Sequence, residues 1–307
     1  MVTENTLKTT SRPHDAVLPL GTNKLHGPPR EKHIVIVLGV GPGLGLHIAR
    51  AFAAEGYTTA ILSRSKDTLD AWAVELDAVA RQRRAQDGSP VPESAPPLAR
   101  AFACDMLKQD TIHKAVHDIQ AAWPEMLIGT CAYNGSIRKR GPFLGVTMKQ
   151  MQDSVDASIL SFFTFAQLTL RAMTQHGLGG SLLVTGATSS TRGGSGFVPF
   201  AASKGGLRLM CQSLAREFGE QGIHVAHIII DGLIESKTAL KYFGLPEEER
   251  FDDGLVRIRR GPVPDDSVLT IQVLIPAQMA KTWLFLAQQH PSAWTQEMDL
   301  RPAKENF

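Results

Sequence analysis

The chain has 307 residues, 43% of them apolar and 20% charged, with 32 basic residues against 30 acidic ones. That length and composition fit one large α/β domain or two small ones, and the near-neutral charge excludes a basic face for nucleic acid. Three scattered cysteines, Cys104, Cys131 and Cys211, lack metal-ligand spacing, which predicts reduced thiols, no metal site and a cytoplasmic location.

Residues 1–32 are polar and broken by Pro13, Pro19, Pro28 and Pro29, so they read as a flexible N-terminal extension. They hold no apolar core for a signal peptide, and no stretch of the chain approaches membrane-spanning length. The run His33–Leu38 is apolar without alternation, the pattern of a strand buried on both faces. A glycine cluster follows, then Leu44, Ile48, Ala51 and Phe52 at the spacing of one helical face. A strand at 58–62 and a helix at 67–84 come next, before the proline-rich segment 85–97, read as a surface insertion.

Further strands are predicted at 99–103, 127–132, 181–185 and 223–230, with helices near 109–123, 149–175 and 201–220 between them. Segment 236–275 lacks strong periodicity and carries charge and proline, which suits a substrate lid. A helix at 277–288 and a short strand at 297–300 close the chain. Strands alternating with helices throughout mean a doubly wound parallel sheet, a Rossmann-type α/β fold, here one domain over 33–307.

The turn Leu38-Gly39-Val40-Gly41-Pro42-Gly43-Leu44-Gly45 lies where the first strand becomes the first helix. Glycine lets the backbone turn sharply and approach a pyrophosphate, and the helix N-terminus presents unpaired N–H groups to it. After the second strand, Ser63 and Arg64 stand where an acidic residue would select NAD, so the guanidinium predicts NADP(H) through its 2′-phosphate. Asp105 falls at the carboxyl edge of the sheet, as a ligand contact or as a helix N-cap.

These motifs resemble those of the short-chain dehydrogenase/reductase family from about His33 to Arg301. Gly39, Gly43 and Gly45 match its glycine turn, with Leu38 in place of the threonine. Asp105 resembles its adenine-contacting aspartate, Tyr133-Asn134-Gly135-Ser136 its Asn-Asn-Ala-Gly segment, and Phe200-Ala201-Ala202-Ser203-Lys204 its Tyr-x-x-x-Lys motif. Asp231 to Ser236 resembles the segment whose later residues, here Ile234 and Ser236, hold the nicotinamide amide. The cofactor set so implied is Gly39, Gly43, Leu44, Gly45, Ser63, Arg64, Asp105, Asn134, Lys204, Ile234 and Ser236.

The departures fall on the chemistry. Phe200 replaces the family's proton-transferring tyrosine, Ala187 its serine, and Ser158 stands where its asparagine is usual. Of that constellation Lys204 remains, with Ser189 and Tyr133 as the candidates to stand in for the missing hydroxyls. The expected activity is an NADPH-dependent reductase of a small organic metabolite that works without the tyrosine. The alternatives are a non-redox isomerase or cyclase and an inactive dinucleotide-binding protein. The resemblance further implies a homodimer or homotetramer. His113 and His117, four apart on one helix, read as a solvated face rather than a zinc site.

Overall fold

The computed structural model describes residues 25–235, 255–259 and 268–303. Its strands are β1 (His33–Leu38), β2 (Thr58–Ser63), β3 (Ala99–Ala103), β4 (Leu127–Tyr133), β5 (Gly180–Thr185), β6 (Ile223–Ile230), β7 (Leu233–Ile234), β8 (Leu255–Arg259), β9 (Val268–Leu274) and β10 (Glu297–Leu300). The α-helices are α1 (Leu44–Ala54), α2 (Lys66–Gln86), α3 (Gln109–Ala122), α4 (Met148–Val155), α5 (Ser161–His176), α6 (Val198–Phe218) and α7 (Pro276–Gln288).

Among the described residues, seven strands form one parallel sheet in the order β10-β6-β5-β4-β1-β2-β3. Its two faces bury separate cores. Val35 and Val37 pack with α1, α2 and α7, while Ile34, Ile36 and Leu38 pack with α3, α5 and α6. Successive strand residues point to opposite faces, so a strand covered on both sides must be apolar at every position. That is the physical reason His33–Leu38 lacks alternation. The strand order reverses between β1 and β4, and in such sheets ligands bind in the crevice at the carboxyl ends beside that reversal.

The structure changes four local expectations. Residues 25–32 are packed on the domain rather than being free extension. Leu25 donates its N–H to Tyr57 Oη at 2.9 Å, His26 Nε2 lies 2.6 Å from Gly222 O, and Arg30 pairs with Asp87. The long helix expected over 149–175 is interrupted by a π-helical turn, Asp156–Leu160, between α4 and α5. Segment 236–275 contains strands: β8 and β9 pair antiparallel, and β9 also pairs parallel with β7. Residues 236–254 and 260–267 of the expected lid lie outside the described residues, and Ile275 is the N-cap of α7. Helix α6 begins at Val198, before the predicted 201, with Pro199 in its first turn where a missing N–H leaves no bond unmade. Insertion 85–97 lies along α2, whose Arg81 donates to the carbonyls of Pro92, Ala95 and Pro96.

Candidate functional site

The glycines of the first turn have different jobs. Gly39 sits at φ +90°, and a Cβ there would lie 2.6 Å from Asn134 O. A Cβ on Gly45 would lie 2.5 Å from Gly39 O, so α1 meets the end of β1 backbone to backbone. At Gly43, the N-cap of α1, an added Cβ would meet nothing within 4 Å. Two glycines therefore close the turn, and the third leaves open space before the first amides of α1. Those at Leu44 and Gly45 precede the intrahelical ladder, while Leu46 N–H already donates to Gly41 O at 3.2 Å.

Asn134 ties three strand ends together. Its Nδ2 donates to Gly39 O at 3.1 Å, its backbone N–H donates to Leu38 O at 2.9 Å, and its Oδ1 accepts from Thr185 Oγ1 at 2.9 Å. Across the turn, Gly39 and Val40 both donate N–H to Leu62 O at 3.0 Å, which sets Ser63 and Arg64 beside the glycines. Ser63 is half-buried, and Arg64 is exposed with no carboxylate within 4 Å among the described residues. Asp105 is half-buried, and its Oδ1 accepts from Leu107 N–H at 3.1 Å in a local turn. It is not the N-cap of α3, which is Lys108.

On the other side of the crevice, Phe200 and Lys204 lie one turn apart on α6, both buried. Lys204 Nζ donates to Thr185 O at 2.8 Å; the residue is 2% exposed and has no carboxylate beside it among the described residues. Burial pulls its pKa down from 10.5 to about 8. Thr185 was not foreseen from sequence. It is the last residue of β5 and joins Asn134 to Lys204 through its two oxygens. Ala187 supplies no hydroxyl, and its carbonyl accepts from Ser190 Oγ at 2.5 Å. Thr188 Oγ1 donates to Asp231. Ser189, half-buried, is the hydroxyl of this run that no protein group engages among the described residues.

Tyr133 is a correction to the sequence reading. Its ring is fully buried against Phe162 and Phe165, and its hydroxyl donates to Ala157 O, 2.5 Å away in the π turn. Burial pushes its pKa above the usual phenol range. A proton donor must reach substrate, and this phenol is a core residue. Asp231 is likewise committed, pairing with Arg301 at 2.7 Å and with Arg192 at 3.5 Å. His227 lies under the site with Nδ1 3.0 Å from Glu297, and burial lowers its pKa. Ser158 Oγ is buried in the π turn without a hydrogen-bond partner. Ile234 lies in β7 against Leu274, and Ser236 lies outside the described residues. His113 and His117 are exposed on α3.

A family model described as short chain dehydrogenase matches residues 33–242, across the sheet, the glycine turn and α6. The chain belongs to the short chain dehydrogenase family. Within that family of oxidoreductases, the 3-oxoacyl-[acyl-carrier-protein] reductase MabA of Mycobacterium tuberculosis is 23% identical over 267 residues, covering 86% of this chain and 89% of that protein. A short-chain dehydrogenase from Rhodopseudomonas palustris is 29% identical, with a TM-score of 0.63 over 88% of this chain and 99% of its own. A variant of actinorhodin polyketide ketoreductase with NADPH shares the fold at a TM-score of 0.70 and 19% identity, covering 91% of this chain and 99% of that one. No helix among the described residues is long and apolar enough to cross a membrane.

Proposed function

We propose that this short chain dehydrogenase binds NADP(H) and reduces a small organic substrate without the tyrosine its relatives use. The observation that carries the reading is the division of labour in the glycine turn. Gly39 and Gly45 are held against backbone, while Gly43 leaves a cradle that a Cβ would enter unopposed. The amides of Gly43, Leu44 and Gly45 suit a diphosphate, and Ser63 with the exposed Arg64 suits a 2′-phosphate. Asp105 would meet the adenine, Asn134 braces the turn, Lys204 would hold the nicotinamide ribose, and Ile234 and Ser236 would take the carboxamide. The actinorhodin ketoreductase structure holds NADPH, which supports the same choice of dinucleotide.

When bound there, the nicotinamide supplies a hydride. The residues of the chain must then settle the proton. Phe200 has none to give, Tyr133 is sealed in the core, and Ala187 offers no hydroxyl. Lys204 Nζ is tied to Thr185 O, and Ser189 Oγ, unengaged among the described residues, can orient a substrate oxygen or nitrogen. This arrangement suits a substrate that is already cationic, such as an iminium, or an activated double bond that takes its proton from water. Single-turnover mixing with imine, enone and ketone panels tests it, with NADPH oxidation expected for the first two. Absence of oxidation across all panels refutes the redox reading.

The loss of both family hydroxyls also favours a second reading, a dinucleotide-binding protein without redox turnover. Product formed without NADPH consumption marks an isomerase or cyclase. Tight NADPH binding with no product marks an inactive binder. We assign the chain to the cytoplasm, in keeping with its three buried free thiols. It assembles as a homodimer or homotetramer through α5 and α6, whose Phe163 and Leu209 are 55% and 61% exposed beside an apolar groove.

A further inference from the structure

We infer that the substrate carries an anionic group, apart from the iminium or activated double bond that is reduced, and that Arg138 and Arg140 hold this group at the crevice mouth. This inference rests on the reading of the crevice as a substrate site and adds the charge of what enters it.

The loops that follow β4 and β5 wall the half of the crevice opposite β2 and Arg64. Gly141 N–H donates to Gly196 O at 3.0 Å, which joins the two loops. Beside that joint, the guanidinium carbons of Arg138 and Arg140 lie 5.0 and 5.5 Å from the centre of the Phe197 ring. Two cations drawn to one aromatic ring are held in place by its quadrupole without surrendering their N–H groups. Phe197 in turn lies 6.4 Å, ring to ring, from Phe200, the residue one turn before Lys204. The pair of guanidiniums is thus one aromatic ring removed from the position where the family's chemistry takes place.

Their charge is uncompensated. Residues 134–147 and 186–199 contain Arg138, Lys139, Arg140 and Arg192 and no aspartate or glutamate. Arg138, Lys139 and Arg140 are exposed and have no carboxylate within 4 Å among the described residues. Elsewhere the fold pairs such groups, as Arg50 with Glu75, Arg81 with Asp77 and Arg208 with Glu297. Arg192 is 65% exposed and shares Asp231 at 3.5 Å with the closer Arg301. Like charges gathered without a counter-ion repel each other, and an entering anion relieves that repulsion while gaining charge-assisted, bidentate hydrogen bonds. The cofactor's own phosphates do not answer this need, because the glycine turn and Arg64 lie across β1 on the other half of the sheet. Both a carboxylate and a phosphate monoester have the required chemistry.

Calorimetric titration of the full chain, free and with saturating NADPH, distinguishes these sources. The probes are succinate for the carboxylate, glycerol 3-phosphate for the phosphate and diethyl succinate as the neutral control. At least one anion is expected to bind saturably where the ester does not. Arg138→Gln/Arg140→Gln should weaken that binding about tenfold or more. Both side chains are exposed, so thermal melting should confirm an intact fold. Equal binding of anion and ester, no binding of either anion, or affinity unchanged in the double variant each overturns the inference. Nicotinamide fluorescence on the same samples reports NADPH affinity separately, and its loss would remove the cofactor reading while the anion result on the free chain still decides this one.

Discussion

Replacing Lys204 with methionine should make the protein more stable while removing its function. The residue is 2% exposed, has no carboxylate partner among the described residues, and donates one hydrogen bond, to Thr185 O at 2.8 Å. Each pKa unit corresponds to about 1.4 kcal/mol. The fall from 10.5 to about 8 therefore places a penalty on the order of 3 kcal/mol on holding the charged amine in the fold at pH 7. Methionine fills a similar volume and leaves the Thr185 carbonyl with one bond fewer, a loss of about 1 kcal/mol. The net expectation is a gain of about 1–2 kcal/mol, seen as a rise of a few degrees in Tm. The pH dependence gives the sharper test. Folding is penalised while Lys204 is charged in both states, below pH 8, and the penalty fades as pH rises from about 8 toward 10.5. The stability gap between Lys204→Met and the parent, from urea unfolding at pH 7 and pH 10, should accordingly shrink. A variant less stable than the parent at pH 7, or a gap that does not change with pH, refutes the reasoning and makes Lys204 a structural residue.

Gly43→Ala and Gly45→Ala should separate binding from folding. The first adds a methyl to open space at a helix N-cap and should cost about 1 kcal/mol or less of stability while weakening NADPH at least tenfold in a fluorescence titration. The second drives a methyl into Gly39 O and should lower stability by about 1–3 kcal/mol as well; an unchanged NADPH affinity in Gly43→Ala argues against the cradle. Arg64→Gln should weaken NADPH about tenfold and leave NADH unaffected, with the difference shrinking at high salt because the guanidinium is exposed. Burial lowers the pKa of His33 from 6.5 to about 4, so the imidazole is neutral in the fold and charged in the unfolded chain between those values. Stability should fall by on the order of 3 kcal/mol as pH drops through that window, and His33→Gln should flatten part of the fall measured by urea unfolding. Phe200→Tyr returns a phenol one turn before Lys204 and should raise ketone reduction about a hundredfold, read as NADPH oxidation; no gain would mean that the rebuilt hydroxyl does not reach substrate.

The elements that local chemistry dictates were legible in the sequence. An apolar run buried on both faces, a glycine that must adopt φ +90° and a helix opening on Gly43 leave marks at single positions. Tyr133 was misplaced because a strand buried on both sides gives no clue to which face a residue takes. It shares the face of Cys131 and meets α5, so its hydroxyl reaches Ala157 instead of the crevice. The π turn left no trace either, since the helical periodicity runs on through Asp156–Leu160. Residues 25–32 looked free because their partners, Gly222 and Asp87 among them, lie far along the chain. Val268–Leu274 does alternate, but charge and proline around it masked a strand whose partners are β7 and β8. The Arg138–Phe197–Arg140 cluster joins residues almost sixty positions apart, a distance that periodicity cannot bridge.

The two halves of the crevice are under different physical constraints, and this explains which of them departs from the family pattern. The dinucleotide half is built from backbone. A Cβ on Gly39 or Gly45 would come within 3 Å of main-chain atoms, so altering either disturbs the joint between β1 and α1 before it disturbs any ligand. The substrate half depended on side-chain hydroxyls, which can be removed without moving the chain. At Phe200 the ring remains buried and packs on Phe197, and at Ala187 the backbone stays extended with φ −156°. Removing a phenol from beside a lysine does more than delete one donor. It leaves Lys204 with a carbonyl as its hydrogen-bond acceptor and no anion to offset desolvation, and its proton is therefore held less tightly than in water. On the proposed reading, the chain keeps one ionisable group, Lys204, a turn from Phe200, while Arg138 and Arg140 at the rim take the substrate's anionic group.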